Sequence, residues 1–260
     1  MRIALISDIH GNLAALQAVL RTLDREQVDR LVCLGDVAAM GPQPREALAR
    51  LRGLAAALVM GNADAELLDP AAMIAAAQTD DARRFADMTQ WAANQLDDAD
   101  RAFIASFQPT VDVPLPNGQR LLCCHGSPRG FDDVIVAATP DEEIDGMVGN
   151  VGNVGNLGNV SVAARREVDV IAGGHTHIRM LRAWRGREIV NPGSVGLAYR
   201  FFPDGSVRVP AWAEFAIVAA TDEGTVEIAL RRVPYDQEAT VRAMHERGMP
   251  HAAWWSEDWR

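Results

Sequence analysis

Cysteine is scarce: Cys33, Cys123 and Cys124 are the only three in 260 residues. They are too few, and too apolar in setting, for a disulfide framework. Cys123 and Cys124 are neighbours in the strand-like run LLCC, which reads as two small buried hydrophobes and not as a redox pair. Long apolar runs are missing too; none approaches the roughly 20 residues of a membrane span. The first residues, 1–6, form a short apolar strand without the charged-then-apolar pattern of a signal segment, so a cytoplasmic protein is expected. Positive charge is in deficit: Lys+Arg 25 against Asp+Glu 35 leave a formal charge of −10. Such a chain is not expected to bind nucleic acid broadly or to bind an anionic membrane. An anionic substrate at a locally positive site is still allowed.

Hydrophobic residues make up 48% and charged residues 23%, the balance of a folded chain with a sizeable core. No boundary is visible, so residues 1–260 are expected to form a single domain. Short apolar runs alternate with amphipathic stretches. Strands are expected at 3–7, 31–34, 56–60, 111–113, 120–124, 168–172, 180–184 and 188–190, with a hairpin from 215–220 and 225–232 turning at 222–224. Helices are expected at 13–25, where Leu13, Leu16, Leu20 and Leu23 share a face, at 44–52, over about 80–107, and at 236–247, stopped by Gly248 and Pro250. The mixture points to two packed sheets flanked by helices, a layered α/β arrangement. Residues 149–160 read GNVGNVGNLGNV. A Gly-Asn-apolar unit with so few copies is neither collagen nor solenoid, and a flexible inserted loop without chemical role is expected. Trp254, Trp255 and Trp259 mark a Trp-rich tail, expected to pack on the body or on a partner subunit in a homo-oligomer.

Chemistry-bearing residues cluster just after the apolar strands. Asp8 and His10 lie in SDIHGN; residues i and i+2 of an extended segment point to one side, so a carboxylate and an imidazole can converge. Asp36 follows Gly35, and its two oxygens can bridge two cations. Asn62 follows Gly61 and brings a neutral amide oxygen. His125 follows Cys124, and His175 and His177 stand in GHTH, again two apart. Each alone can be a turn or helix cap. Together they are more: four of the six histidines (His10, His125, His175 and His177) fall at these strand-to-loop positions. His245 and His251, in the helical tail, look like surface residues.

The order D-x-H, GD, GN, H, GHTH resembles the calcineurin-like metallophosphoesterase superfamily, and within it the small bacterial and archaeal phosphodiesterase-like branch. HGSPRG at 125–130, NPGSVG at 191–196 and RVPYDQEATVRAM at 232–244 are similar to that branch as well. The resemblance spans nearly the whole chain apart from the Gly-Asn insert and the tail. It implies a four-layer αββα sandwich, two central mixed β-sheets flanked by helices, with the site at the strand ends. By position it implies that Asp8, His10 and His177 hold one metal, that Asn62, His125 and His175 hold a second, and that Asp36 bridges. Asp36, Asn62 and His125 are then also the residues expected to serve catalysis. Mixed oxygen and nitrogen ligands suit manganese first, with iron, nickel or zinc as alternatives. Two divalent cations offset only in part by Asp8 and Asp36 leave a positive site that attracts phosphate. A water bridging metals about 3.5–4 Å apart ionises near neutral pH and can attack phosphorus in line. The expected partner is a small phosphorylated substrate, of nucleotide type by preference.

Position 63 departs from the family. Many members have Gly-Asn-His there, with a histidine that protonates the leaving group; this chain has Ala63, followed by Asp64. A general acid is worth about 10²–10⁴ in rate, so activity is expected to favour good leaving groups. Asp64 either orients Asn62 or a ligand histidine, or caps the next helix. Arg129, Arg179 and Arg200 could clamp phosphate or simply be solvated; Asn191 and Ser194 are expected to shape a turn. Protein serine/threonine phosphatase activity is disfavoured, because the stretch after Asp36 lacks an arginine. The competing expectation is a binding protein that kept the fold and lost turnover, as retromer-type relatives of the superfamily resemble.

Overall fold

Both faces of the first strand are buried. In β1 (Arg2–Ile6), Ile3 and Leu5 face one side and Ala4 and Ile6 the other, and all four are fully buried. A sheet built on such a strand must be covered on both faces. The computed structural model describes residues 1–149 and 168–259. After β1 come α1 (Leu13–Glu26), β2 (Arg30–Cys33), α2 (Pro44–Arg52), β3 (Ala56–Leu58), α3 (Asn62–Leu68) and α4 (Pro70–Ala76). Next are α5 (Asp80–Ala93), α6 (Asp98–Ala105), β4 (Val111–Pro114), β5 (Arg120–Cys123), α7 (Asp141–Val148) and β6 (Val170–Ala172). Then follow β7 (Met180–Trp184), β8 (Arg187–Asn191), β9 (Arg200–Phe201) and β10 (Val207–Arg208). The last elements are β11 (Trp212–Ala220), β12 (Val226–Pro234), α8 (Gln237–Glu246) and α9 (Ala252–Trp255).

Two five-stranded mixed sheets form, in the orders β12-β11-β1-β2-β3 and β4-β5-β6-β8-β7. In the first, β1, β2 and β3 run parallel, and β11 and β12 add antiparallel strands at the other edge. In the second, β5, β6 and β8 are parallel, with β4 and β7 antiparallel at the edges. The inner faces meet through Ile3, Leu5, Val32, Leu121, Val170 and Val218, among others. The outer face of the first sheet, Ala4, Ile6 and Cys33, packs on α1, α2 and α3. The outer face of the second packs on Ile144 and Val148 of α7. This is the expected arrangement of two mixed sheets flanked by helices. The neighbouring cysteines fit it: Cys123 enters the inter-sheet core and Cys124 the outer one, so their thiols point apart, and all three cysteines are free.

Some boundaries differ from expectation, each for a local reason. The helical stretch over 80–107 is two helices: α5 ends at Ala93, and Asp97 starts α6 as its cap, accepting from Asp100 N–H at 2.9 Å. The helix α4 has no buried residue and so no apolar period to reveal it; Asp69 caps it at Ala72 N–H. The strand β3 is shorter than 56–60, and Val59 forms only an isolated bridge to Gln108. The Gly-Asn repeat from residue 150 onward lies outside the described residues. The tail packs on the chain's own body: Trp259 is buried, and Trp254 and Trp255 each meet the ring of Phe85 at 5.6 Å. Among the described residues no helix is long and apolar enough to cross a membrane.

Candidate metal centre

The candidate residues all lie beyond the carboxyl ends of parallel strands. Asp8 and His10 follow β1, Asp36 follows β2, and Asn62 opens α3 after β3; His125 follows β5, and His175 and His177 follow β6. Loops at this end of a sheet carry no ladder hydrogen bonds and can aim side chains at one point.

The backbone there is not extended. Asp8, His10, Asp36, His175 and His177 have φ of 56°, 48°, 57°, 65° and 58°, five of the nine non-glycine residues with positive φ among those described. Asp8 and His10 therefore do not converge by the same-side rule of a strand; left-handed residues turn each side chain inward. Each such residue costs roughly 1–2 kcal/mol, and backbone hydrogen bonds hold them. Asp8 N–H donates to Gly35 O at 2.9 Å, His10 N–H to Asp36 O at 3.0 Å and Gly196 N–H to Asp8 O at 3.0 Å. His175 N–H donates to Asp8 Oδ2 at 3.2 Å, joining the loops of the two sheets. The glycines before Asn62 and His175 have a steric reason. A Cβ on Gly61 would sit 2.0 Å from Asp36 Oδ1, and one on Gly174 would sit 2.0 Å from Ser7 Oγ and 2.8 Å from Asp8 Oδ2.

Two overlapping groups result. In the first, His177 Nε2 lies 3.0 Å from His10 Nε2 and 3.2 Å from Asp8 Oδ1, and His10 Nε2 lies 3.8 Å from Asp36 Oδ2. Asp8, His10, Asp36 and His177 are buried and offer ligand atoms within 4.8 Å of one another. In the second, His125 Nε2 lies 3.3 Å from Asp36 Oδ2 and 3.1 Å from Asn62 Oδ1, which lies 2.9 Å from His175 Nδ1. Asp36 belongs to both. His175 and His177, two apart in sequence, are divided between the groups. Asn62 and His175 are only half-buried, so solvent reaches the second group first.

The donor chemistry fits divalent cations. Nδ1 of His10, His125 and His177 faces the carbonyl oxygens of Ala39, Leu34 and Leu197 at 3.1, 2.7 and 2.9 Å. A carbonyl only accepts, so each Nδ1 carries a proton, and whenever such a ring is neutral the lone pair of Nε2 faces the centre. The facing Nε2 atoms of His10 and His177 then repel unless a cation or a proton lies between them. Asp8 Oδ1 is buried without a hydrogen-bond donor and lies 3.2 Å from His177 Nε2.

Electrostatics agree. Burial, with His177 adding to it, pushes His10 down to about 4. Burial opposes charge on His125, yet Asp36, Asp8 and the Leu34 carbonyl raise it to about 10. Burial would also raise Asp36, but His125, His10 and His177 hold it below the usual carboxylate range. Without metal, His125 is thus an imidazolium whose Nε2 proton occupies the cation's place. Its raised pKa stabilises the metal-free fold fully below the ordinary value of 6.5, a contribution lost as pH rises through about 10. Cation uptake near neutral pH is expected to release about one proton from His125 and none from His10, with affinity rising about tenfold per pH unit below His125's pKa. Calorimetry in buffers of different ionisation enthalpy measures this; uptake without proton release would contradict the assignment.

Of the two roles expected for Asp64, which is fully buried, the structure shows the cap and not the orienting of Asn62 or a ligand histidine. Its carboxylate accepts from the N–H groups of Asp36 at 2.7 Å, Val37 at 2.8 Å and Gly61 at 3.2 Å. It caps α3 and fixes the Asp36 loop together, rather than touching Asn62 or a histidine. Burial and then Asp36 push it up to about 7 against these donors. Asn191 and Ser194 shape loops as expected: Asn191 donates to Gly174 O at 2.6 Å, and Ser194 Oγ donates to Asp8 O at 2.7 Å. Arg129 pairs with Asp133, Arg179 lies 3.8 Å from Glu214, and Arg200 covers the Phe202 ring. Exposed His251 pairs with Asp87, and His245 is exposed. Two neighbours of the site escaped sequence reasoning. Glu66, one helical turn after Asn62, is pushed up to about 7 by burial and then by Asp36, against the favourable influence of the Asn62 side chain. Tyr199 stacks on His177 at 4.8 Å between ring centroids. The i, i+4 spacing could have indicated Glu66; nothing in the sequence indicates Tyr199.

Residues 1–209 match the model of the calcineurin-like phosphoesterase superfamily domain. An uncharacterized protein of Methanocaldococcus jannaschii is 24% identical over 264 residues, covering 95% of this chain and 93% of its own. A metallophosphoesterase structure from Sphaerobacter thermophilus superposes with a TM-score of 0.66 at 24% identity, covering 97% of this chain and 96% of that one. A hypothetical protein from Pyrococcus horikoshii superposes with a TM-score of 0.73 at 16% identity, covering 96% and 94%.

Proposed function

The chain belongs to the calcineurin-like phosphoesterase superfamily, and from that membership we propose that it hydrolyses phosphoester bonds with two divalent cations. Asp8, His10 and His177 would hold one and Asn62, His125 and His175 the other, with Asp36 within reach of both. Asp36 carries the reading: its Oδ2 lies 3.3 Å from His125 Nε2 and 3.8 Å from His10 Nε2, so one carboxylate serves both groups. Manganese is the first choice, with iron, nickel or zinc also suited to these ligands. With cations bound, the site gains Lewis acidity towards phosphoryl oxygen and towards water.

The protein's own residues prepare the place. Backbone carbonyls lock the imidazoles of His10, His125 and His177 in one tautomer. Glu66 engages the Asn62 side chain while its Oδ1 faces His125 and His175. Only Asp8 and Asp36 among the ligands carry negative charge, so a loaded site stays positive within an acidic chain and draws phosphate to it. Asn62 and His175, half-buried, are the ligands most open to solvent.

Position 63 supplies no proton donor. The Ala63 side chain lies in the helix-side core at 2% exposure, and its N–H donates to Asp36 Oδ1 at 2.9 Å. Cleavage then leans on the acidity of the leaving group, which favours aryl substrates, and nucleotide substrates where the leaving group is a second phosphate, over alkyl esters. Aryl phosphodiesters are expected to turn over at least about 10²-fold faster than alkyl diesters of matched fit. Equal turnover would mean that another group protonates the leaving oxygen. The activity itself is tested by stripping the protein of metal and assaying an aryl phosphodiester and monoester with added Mn²⁺, Ni²⁺, Zn²⁺ or Mg²⁺. Turnover restored by a cation supports the reading; none with any cation overturns it.

A further inference from the structure

Three rings form a row from the metal centre to the surface. Tyr199 lies on His177, 4.8 Å between centroids and 27° between planes. Phe201 meets Tyr199 edge-on at 6.2 Å and 76°. The two residues are two apart in the segment that enters β9, the spacing that places side chains on one side of an extended chain. Phe201 is 58% exposed, the most exposed large hydrophobic among the described residues. Its neighbour is treated differently: the guanidinium groups of Arg200 and Arg208 lie over the Phe202 ring at 4.9 and 5.5 Å. The β9–β10 ribbon thus covers one phenylalanine and leaves bare the one that continues the row from a candidate metal ligand.

We propose that Phe201 is a stacking platform for the base of a nucleoside phosphoester whose phosphate sits at the metal centre. The proposal rests on the phosphoesterase reading above. Length selects the occupant. Phe201 stands two ring-to-ring steps from His177, so a ring bonded directly to the phosphate stops at Tyr199. A ring carried on a sugar reaches one step further. Every base has a π-face, so an aromatic ledge accepts bases without reading their edges. Arg200 and Arg208 on the same ribbon add positive charge beside the path of an anionic ligand. Phe201 is then a specificity determinant: it sets which phosphoesters bind and leaves the reacting atoms alone.

The test is calorimetry on the manganese-loaded protein with two phosphonates whose P–C bond resists hydrolysis. One is the analogue of adenosine 5′-monophosphate and the other that of ribose 5-phosphate; inorganic phosphate is the reference. The adenosine analogue is expected to bind roughly tenfold more tightly than the ribose analogue, the effect of one base–aromatic stack. Phe201→Ala removes that advantage and leaves the ribose analogue unchanged, and Phe201→Trp keeps it. Because the side chain is mostly exposed, neither change threatens the fold. Equal binding of the two analogues by the unaltered protein overturns the platform alone, as does an equal loss of both in Phe201→Ala. Failure of both analogues and of phosphate to bind removes the phosphoesterase reading, and the platform with it. Sedimentation of Phe201→Ala provides a second check: a loss of self-association with no change in analogue preference assigns the ring to contact between copies and overturns the proposal.

Discussion

Asp36→Asn is expected to lower metal-dependent hydrolysis on the order of 10³-fold or more while the chain stays folded. Asp36 is the only ligand that both groups share, and asparagine presents one acceptor oxygen where the carboxylate presents two. That oxygen can still take the N–H of Ala63, now bonded to Oδ1 at 2.9 Å, so the start of α3 keeps its anchor. Losing a single transition-state donor costs about 10²–10³; here the charge of a whole cation is at stake. The variant is expected to bind at most one cation per chain. A second readout is independent of turnover. His125 loses the carboxylate that raises it to about 10, so in the metal-free variant its titration moves down, as NMR of the imidazole protons reports. A variant with normal turnover, or an unmoved His125, would place the shared charge elsewhere.

Asp64→Ala is expected to cost both stability and activity, although Asp64 is not among the proposed ligands. Its carboxylate satisfies three buried N–H groups, those of Asp36, Val37 and Gly61. Truncation leaves them unpaired at about 1–3 kcal/mol each. With some water entering the gap, the loss is roughly 3–6 kcal/mol, measured by urea unfolding in the presence of chelator. The left-handed conformation of Asp36, with φ of 57°, loses its brace in the same step, so cation affinity falls too. Asp64→Asn, which keeps one acceptor oxygen, is expected to lie between the two. A loss confined to activity would mean that Asp64 acts on the chemistry directly.

The architecture was legible where burial follows a period. Ile3 to Ile6, Leu31 to Cys33 and Leu121 to Cys124 read as buried strands, and Leu16, Leu20 and Leu23 as a helix face, because a continuous apolar run and the i, i+4 pattern are local. Helix α4 was illegible since nothing on it is buried, and the break at Asp97 since an aspartate in a polar stretch announces no cap. The seven candidate residues could be picked out because each follows a strand and several follow a glycine. How they come together could not. Left-handed backbone at Asp8, His10, Asp36, His175 and His177 depends on hydrogen bonds between loops far apart in sequence, such as Gly196 N–H to Asp8 O. Asp64 illustrates the same limit: beside Asn62 in sequence, it spends its oxygens on the Asp36 loop, a pairing that only the tertiary fold creates. Tyr199 reaches His177 only because the NPGSVG loop carries it across.

The most direct test of a two-cation centre shared by Asp36 is electron paramagnetic resonance of the metal-stripped protein titrated with Mn²⁺. Two equivalents are expected to bind and to give the spectrum of an exchange-coupled pair, and in Asp36→Asn that spectrum collapses to isolated ions. A single equivalent, or two ions without coupling in the unaltered protein, would contradict the shared site and the mechanism that rests on it.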